Sequence, residues 1–139
     1  MPAIRAAILS DIHGNAPALE VVLADAGRPG VTRFYNLGDT VGEATFPNET
    51  VELLIRYGVV SILGNFDRSV TDCEGRIARM EQRKHPARDA AIRFTQATIS
   101  LHNLRHLSEL PRRGTVETEG NRFLLVHGSP RRDSEFIRA

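Results

Sequence analysis

Short polar clusters follow several apolar runs of this sequence, and they contain the residue types that bind divalent metal ions. The first holds Asp11 and His13, the next holds Asp39, a third holds Asn65, and the last holds His127. Carboxylate oxygens, an amide oxygen and imidazole nitrogens are ligands that several first-row divalent ions accept. Because a pair of such ions supports in-line displacement at phosphorus, the set predicts a metal-dependent phosphoester hydrolase.

Glycines and a count of charge favour the same chemistry. Gly14, Gly38, Gly64 and Gly128 flank the candidate ligands, and glycine permits left-handed turns and close approach of the backbone to a phosphate. Two divalent ions bring about four positive charges, of which two aspartates and a bridging hydroxide remove about three. The remaining positive charge suits a phosphate oxygen. Since the ions also activate the hydroxide, no serine or cysteine nucleophile is required.

Short β-type runs alternate with longer helical patterns, which predicts an α/β fold with a largely parallel or mixed sheet. We expect strands over 4–9, 33–37 and 59–63, and helices over 15–26 and 47–57. The candidate ligands come directly after expected strands. Because the carboxyl ends of parallel strands meet at one edge of a sheet, the ligands are expected to converge there.

The sequence of the second half of the chain predicts its structure in less detail. The charged segment 68–84 is expected to be a surface excursion or a mobile helix with little core burial. The pattern over 86–110 predicts two helices that meet near His102 and Asn103. Segments 115–118 and 122–126 are expected to form a hairpin.

Composition limits the classes of protein that remain. With 139 residues and 41% hydrophobic content, residues 1–139 are expected to form a single domain. The 18 basic and 17 acidic residues nearly cancel, so neither nucleic acid nor a membrane surface is an expected partner. Cys73 is the single cysteine, which excludes an intramolecular disulfide and fits a reducing compartment, by default the cytoplasm.

The motifs resemble those of the calcineurin-like metallophosphoesterases, and within that family the small YfcE-type phosphodiesterases of bacteria and archaea. The ordered family motifs Asp-x-His, Gly-Asp, Gly-Asn-His-Asp and His-Gly are matched by Asp11/His13, Gly38/Asp39, Gly64/Asn65/Asp67 and His127/Gly128. The resemblance implies a sandwich of two mixed sheets flanked by helices. It also implies two divalent metal ions, with manganese expected first and iron, nickel, zinc or magnesium as alternatives, and a small-molecule or nucleotide phosphoester as substrate.

The resemblance also implies a role for each site residue. The expected metal ligands are Asp11, His13, Asp39, Asn65 and His127. Asn65 would in addition position the phosphate and so act as a catalytic residue. Asp67 is the second candidate catalytic residue, and it would either orient a neighbour or cap the segment that follows. Arg131 and Arg132 follow the His127 motif closely and are minor candidates for gripping a phosphate.

Two departures from the family pattern matter. The Gly-His-x-His segment that usually completes the site is absent from the chain, and the second sheet would lack strands. We interpret the chain as a C-terminally truncated fragment of a longer protein, the alternative being a degenerate member with a weakened site. An open sheet edge would also permit self-association.

The other departure is Phe66, which stands where the family commonly has a histidine. That histidine resembles a general acid for the leaving alcohol, so its loss predicts a preference for acidic leaving groups, such as aryl or nucleotide esters. Asp11, Asp39 or Asn65 taken alone could be an ordinary helix cap or turn residue. The alternative function is a non-catalytic protein-interaction module on a degenerate fold of this family, as in a retromer subunit.

Overall fold

The computed structural model describes residues 5–28, 30–72 and 85–137. In chain order its elements are β1 (Ala6–Leu9), α1 (Ala16–Gly27), β2 (Arg33–Asn36), α2 (Pro47–Arg56), β3 (Val60–Ser61), α3 (Asn65–Thr71), α4 (Pro86–Thr98), α5 (Leu101–Glu109), β4 (Arg113–Thr118) and β5 (Asn121–Val126). Within this part of the chain the fold is α/β, with five helices and two sheets. The fold class predicted from the sequence is therefore confirmed, and the second sheet is small.

The two sheets differ in the direction of their strands. β1, β2 and β3 are parallel neighbours in that order, with Ile8 opposite Tyr35 and Tyr35 opposite Val60. β4 and β5 form an antiparallel hairpin, whose tight turn is Glu119 and Gly120 at φ angles of 50° and 77°. Both φ angles are positive, as the favoured hairpin turns require. The described strands are thus parallel in one sheet and antiparallel in the other, and neither sheet is mixed.

One face of the parallel sheet is covered by α1 and α2. Pro17 lies in the first turn of α1, and the Asn15 side chain caps this helix by accepting a hydrogen bond from the backbone of Ala18 at 3.2 Å. The apolar stripe of α1 places Leu19 and Leu23 in a cluster with Leu54 of α2. The predicted helices over 15–26 and 47–57 are confirmed to within a residue or two at each end.

A second apolar cluster joins α2 to α3, α4 and α5. It consists of Val41, Val51, Val70, Ile92 and Leu107, all nearly inaccessible to solvent. Val70 belongs to α3, so the expectation of little core burial after residue 68 is wrong for 68–71: this short helix contributes to the core. The rest of that charged segment, residues 73–84, lies outside the described residues, and so does Cys73.

The junction between α4 and α5 also differs from expectation. It lies at Ile99 and Ser100 instead of near His102, because the Ser100 side chain caps α5 by accepting a hydrogen bond from the backbone of Asn103 at 3.2 Å. Asn48 of α2 holds this junction from the other side. Its side chain accepts from the Ser100 amide at 2.8 Å and donates to the Thr98 carbonyl at 2.9 Å.

Several apolar side chains remain exposed on the two sheets, among them Ile8 (64%), Val60 (53%), Phe123 (52%) and Leu124 (54%). The predictions of a longer parent protein and of self-association both concern such surfaces, and both stay predictions. Across 5–28, 30–72 and 85–137, none of the helices combines the length and apolar character needed to span a bilayer.

The polar clamp between α2 and α5 should matter for stability. Asn103 is fully buried, and its amide donates to Asn48 at 3.0 Å and to Glu52 at 3.2 Å. Replacing Asn103 by Ala removes both hydrogen bonds and empties part of a fully buried position, so we expect the free energy of unfolding to fall by about 1–3 kcal/mol. Chemical denaturation measures this. The exposed neighbour His102, replaced by Ala, should change it by less than about 0.5 kcal/mol; equal effects of the two substitutions would contradict the prediction.

Candidate metal centre

The loops that follow β1 and β2 lie side by side, held by backbone hydrogen bonds. The Asp11 amide donates to the Gly38 carbonyl at 3.0 Å, and the His13 amide donates to the Asp39 carbonyl at 2.8 Å. These bonds continue the parallel pairing of the two strands past their carboxyl ends. The side chains of Asp11, His13 and Asp39 therefore meet over the end of the sheet, as the sequence predicted.

The same three residues have an unusual backbone conformation. Asp11, His13 and Asp39 have φ angles of 55°, 52° and 55°, in the left-handed region that most side chains avoid. Among the described non-glycine residues, Glu119 in the hairpin turn is the other one with positive φ. Such conformations persist where surrounding bonds impose them, and they cluster at functional sites.

Asp11, His13 and Asp39 form a group that could hold a metal ion. Each offers one ligand atom, and these atoms all lie within 4.8 Å of one another. The Nε2 atom of His13 is 3.8 Å from an oxygen of Asp11 and 3.8 Å from an oxygen of Asp39. One imidazole nitrogen and two carboxylates at this spacing fit the donor set of a divalent first-row ion.

The two oxygens of Asp39 have different tasks. Its Oδ1 accepts a hydrogen bond from the backbone amide of Phe66 at 2.8 Å, which fixes the orientation of the carboxylate. Its Oδ2 lies between two imidazoles, 3.8 Å from Nε2 of His13 and 3.4 Å from Nε2 of His127. Asp39 therefore stands where a ligand shared by two ions would stand.

His127 reaches the site from β5, and its ring is oriented by the backbone. Nδ1 donates to the Leu37 carbonyl at 2.8 Å, which leaves Nε2 facing the Asn65 amide at 2.9 Å. Metal-binding histidines are usually oriented by such a bond from the second ring nitrogen. The Asp39 carboxylate raises the pKa of His127 to about 9, so a proton competes with a metal for Nε2.

Asp67 lies beneath the site and holds its loops together. It is fully buried and accepts hydrogen bonds from the backbone amides of Val41 at 2.9 Å and Gly64 at 3.0 Å. Burial raises the pKa of Asp67 to about 6, against the opposing effect of these amides. Asp67 thus ties the loop after β2 to the start of α3, and it also caps α3.

A cavity of about 420 Å³ opens over the candidate ligands. Its lining includes all five predicted ligands, namely Asp11, His13, Asp39, Asn65 and His127. Phe66 and Arg88 line it as well, and Arg88 is a residue that the sequence analysis missed. Arg131 and Arg132 are not among its lining residues, and the Arg131 side chain is paired with Glu135 at 2.9 Å.

Comparisons with known proteins agree with this geometry. A family model described as calcineurin-like phosphoesterase matches residues 4–138. The uncharacterized protein MJ0912 of Methanocaldococcus jannaschii is 34% identical over 125 residues, which make up 90% of this chain and 49% of that protein. The chain therefore spans about half the length of the curated relative it matches.

Three solved structures are similar to the structure of this chain. A metallophosphoesterase from Sphaerobacter thermophilus is 34% identical, with a TM-score of 0.73, over 97% of this chain and 51% of that one. The hypothetical protein PH1004 from Pyrococcus horikoshii has a TM-score of 0.83 at 22% identity, covering 97% of this chain and 59% of its own. The E. coli phosphoesterase Yfce has a TM-score of 0.53 at 21% identity, covering 96% of this chain and 62% of its own. The latter two likenesses concern the fold alone.

Gly64 is the position at which the site should tolerate a methyl group least. A Cβ there would collide with the backbone nitrogen and the carboxylate of Asp39. We expect Gly64→Ala to lower the free energy of unfolding by about 1–3 kcal/mol and to weaken manganese binding by displacing Asp39. Gly27→Ala is the control, because a Cβ at Gly27 meets nothing within 4 Å. Thermal unfolding and calorimetric titration with manganese test this, and unchanged manganese affinity in Gly64→Ala would be evidence against it.

Proposed function

Because the chain belongs to the calcineurin-like phosphoesterase family, we propose that it hydrolyses phosphoesters with the help of two divalent metal ions, of which manganese is the first to test. The observation that carries the proposal is the position of Asp39 between the imidazoles of His13 and His127.

The donor set fits two ions. Asp11 and His13 would hold one ion, and Asn65 and His127 would hold the other, with Asp39 shared between them. When bound, such ions lower the pKa of a coordinated water to near neutrality and withdraw charge from the phosphoryl group. The Asp11 side chain is 58% exposed, whereas that of Asp39 is 4% exposed. The ion held by Asp11 and His13 would therefore be open to solvent and substrate.

The protein's own groups supply orientation. Asn65 would present its amide to a phosphoryl oxygen, and Asp67 would act as a positioning residue because it fixes the loops that carry Asp39 and Asn65. Phe66 places an apolar ring against the imidazole of His13, with ring centroids 4.7 Å apart. The ring cannot protonate a leaving group, which supports a preference for aryl or nucleotide esters over alkyl esters.

Phe66 is also the observation that favours a second candidate function. A member of the family without the usual acid could serve as a non-catalytic interaction module, since fold alone does not assign activity. The geometry around Asp39 favours the hydrolase. The assay described next separates the two candidates.

Turnover of bis(p-nitrophenyl) phosphate by the full-length protein should depend on manganese and on Asp39. We expect Asp39→Asn to lower manganese-dependent hydrolysis by more than about 100-fold, since even a residue that only orients a ligand costs about 10–100-fold. Chelation should abolish the wild-type activity. Asp25→Asn is the matched control, because Asp25 lies on the surface of α1, paired at 3.5 Å with Arg28. Wild-type protein without metal-dependent turnover would favour the interaction module.

Restoring a titratable group at position 66 should change the leaving-group preference. We expect Phe66→His to raise hydrolysis of alkyl phosphoesters relative to aryl ones, by up to about 10²-fold if the imidazole protonates the leaving oxygen. Phe66→Leu, which adds no proton donor, is the control. Rates for matched aryl and alkyl esters measure the ratio. If wild-type protein already hydrolysed alkyl esters as fast as aryl esters, the proposed preference would be wrong.

A further inference from the structure

Arg88 lies in the first turn of α4, remote in sequence from every predicted ligand, yet it lines the cavity above them. The carbon at the centre of its guanidinium group is 4.1 Å from the centroid of the Phe66 ring. A guanidinium at this distance from an aromatic face is attracted to it electrostatically. The Phe66 ring therefore keeps the Arg88 guanidinium close to Asn65, the residue that precedes Phe66 in the chain.

The Asn65 amide lies between Arg88 and the candidate metal ligands. One of its two terminal atoms is 2.9 Å from Nε2 of His127 and 3.3 Å from Oδ2 of Asp39, and the other is 2.9 Å from a guanidinium nitrogen of Arg88. In the orientation that satisfies both terminal atoms of the amide, the Asn65 nitrogen donates to Oδ2 of Asp39 and the Asn65 oxygen accepts from Arg88.

Metal binding would reverse this arrangement. Asn65 can bind a cation only through its oxygen, which must then turn towards Asp39 and His127. Its NH2 group would in consequence face the guanidinium of Arg88, and both are hydrogen-bond donors. A phosphoryl oxygen placed between these two donors would accept a hydrogen bond from each, and it carries the charge that a guanidinium attracts.

We propose that Arg88 is a substrate-binding residue that, together with the Asn65 amide, holds an oxygen of the phosphoryl group. The inference rests on the proposed phosphoesterase function. Arginine suits this task because its planar fork of donors matches phosphate geometry and its charge is permanent. For the same reason Arg88 cannot serve as a general acid, so it stabilises charge on the phosphoryl group without protonating the leaving oxygen.

Phe66 acquires a role from this arrangement. Its ring lies between the imidazole of His13 and the guanidinium of Arg88, and contacts both. An imidazolium at position 66 would repel Arg88, whereas an aromatic ring attracts it. The departure from the family motif and the arginine beside it are thus two parts of one feature, which binds a phosphoryl group firmly and serves esters with acidic leaving groups.

Binding of inorganic phosphate to the full-length, manganese-loaded protein tests the proposal without requiring turnover. We expect Arg88→Ala to raise the Kd of phosphate by roughly 10- to 100-fold, the usual effect of losing a charge-assisted hydrogen bond. Arg88→Lys keeps the charge without the planar fork and should give an intermediate Kd. The stoichiometry and affinity of manganese should stay within about 2-fold of wild type, since Arg88 is not a ligand.

Arg105→Ala is the control for loss of a positive charge, because Arg105 is exposed on α5 and does not line the cavity. It should leave the Kd of phosphate unchanged. The proposal is overturned if Arg88→Ala binds phosphate as wild type does, or if the variant loses manganese and phosphate in parallel, which would indicate a structural role. It is overturned as well if the manganese-loaded wild-type protein binds no phosphate.

The outcome is separable from that of the proposed function. Wild-type hydrolysis of bis(p-nitrophenyl) phosphate together with unchanged phosphate binding in Arg88→Ala would refute the role of Arg88 alone. Loss of phosphate affinity in Arg88→Ala, in a protein that hydrolyses no ester, would refute the hydrolase and leave Arg88 as a phosphate-binding residue. If the protein is active, added guanidinium should restore part of the activity of Arg88→Ala, which a purely structural defect would not allow.

Discussion

The loop that contains Gly38 and Asp39 approaches the loop at Gly64 backbone against backbone, and the site depends on this close contact. A Cβ at Gly38 would lie 2.6 Å from the backbone of Gly64, and one at Gly64 would enter the space of Asp39. Because neither glycine carries a side chain, the amide of Phe66 comes within 2.8 Å of the Asp39 carboxylate. That bond compensates part of the cost of burying a charge and sets the direction in which the other oxygen of Asp39 points.

The left-handed conformations of Asp11, His13 and Asp39 depend on a second contact, between the loops that follow β1 and β2. Each costs about 1–3 kcal/mol when a side chain is present, so the surrounding structure must impose it. The bonds from Asp11 to Gly38 and from His13 to Asp39 do so, because they continue the pairing of β1 with β2 beyond the strands. The geometry of this candidate metal-binding group is therefore set largely by the backbone.

The sequence was sufficient to predict the elements and the convergence of ligands, because both depend on local patterns. Alternating apolar runs predicted α1 and α2, and a polar residue after each strand predicted where the site lies. Burial of Val70 could not be predicted in this way, since a single apolar residue among charged neighbours acquires its environment only when α3 packs against α4 and α5. The break at Ser100 carried a readable capping signal that was missed.

Arg88 shows more clearly what could not be predicted from the sequence. Nothing in the local sequence of α4 distinguishes it from other helical arginines, because its role arises from contact with Phe66, which another part of the chain supplies. Phe66 itself was visible as a departure from a motif, and this departure was interpreted only as a loss. In the structure the Phe66 ring, which cannot donate a proton, contacts the guanidinium of Arg88.

The distribution of charge in the cavity relates the candidate metal ligands to Arg88. The part formed by the candidate ligands is negative: Asp39 lines the cavity, buried Asp67 lies close to Asp39, and the Asp39 carboxylate raises the pKa of His127. Arg88 supplies positive charge to the lining of the cavity, which also includes Asp133 and Glu135, each paired with an arginine. Carboxylates in the part formed by the candidate ligands would attract cations, and cations held there would place further positive charge near a phosphoryl group bound by Arg88. The two proposed sites would then reinforce each other, because an anion bound by Arg88 would be stabilised by the cations and would stabilise them in return.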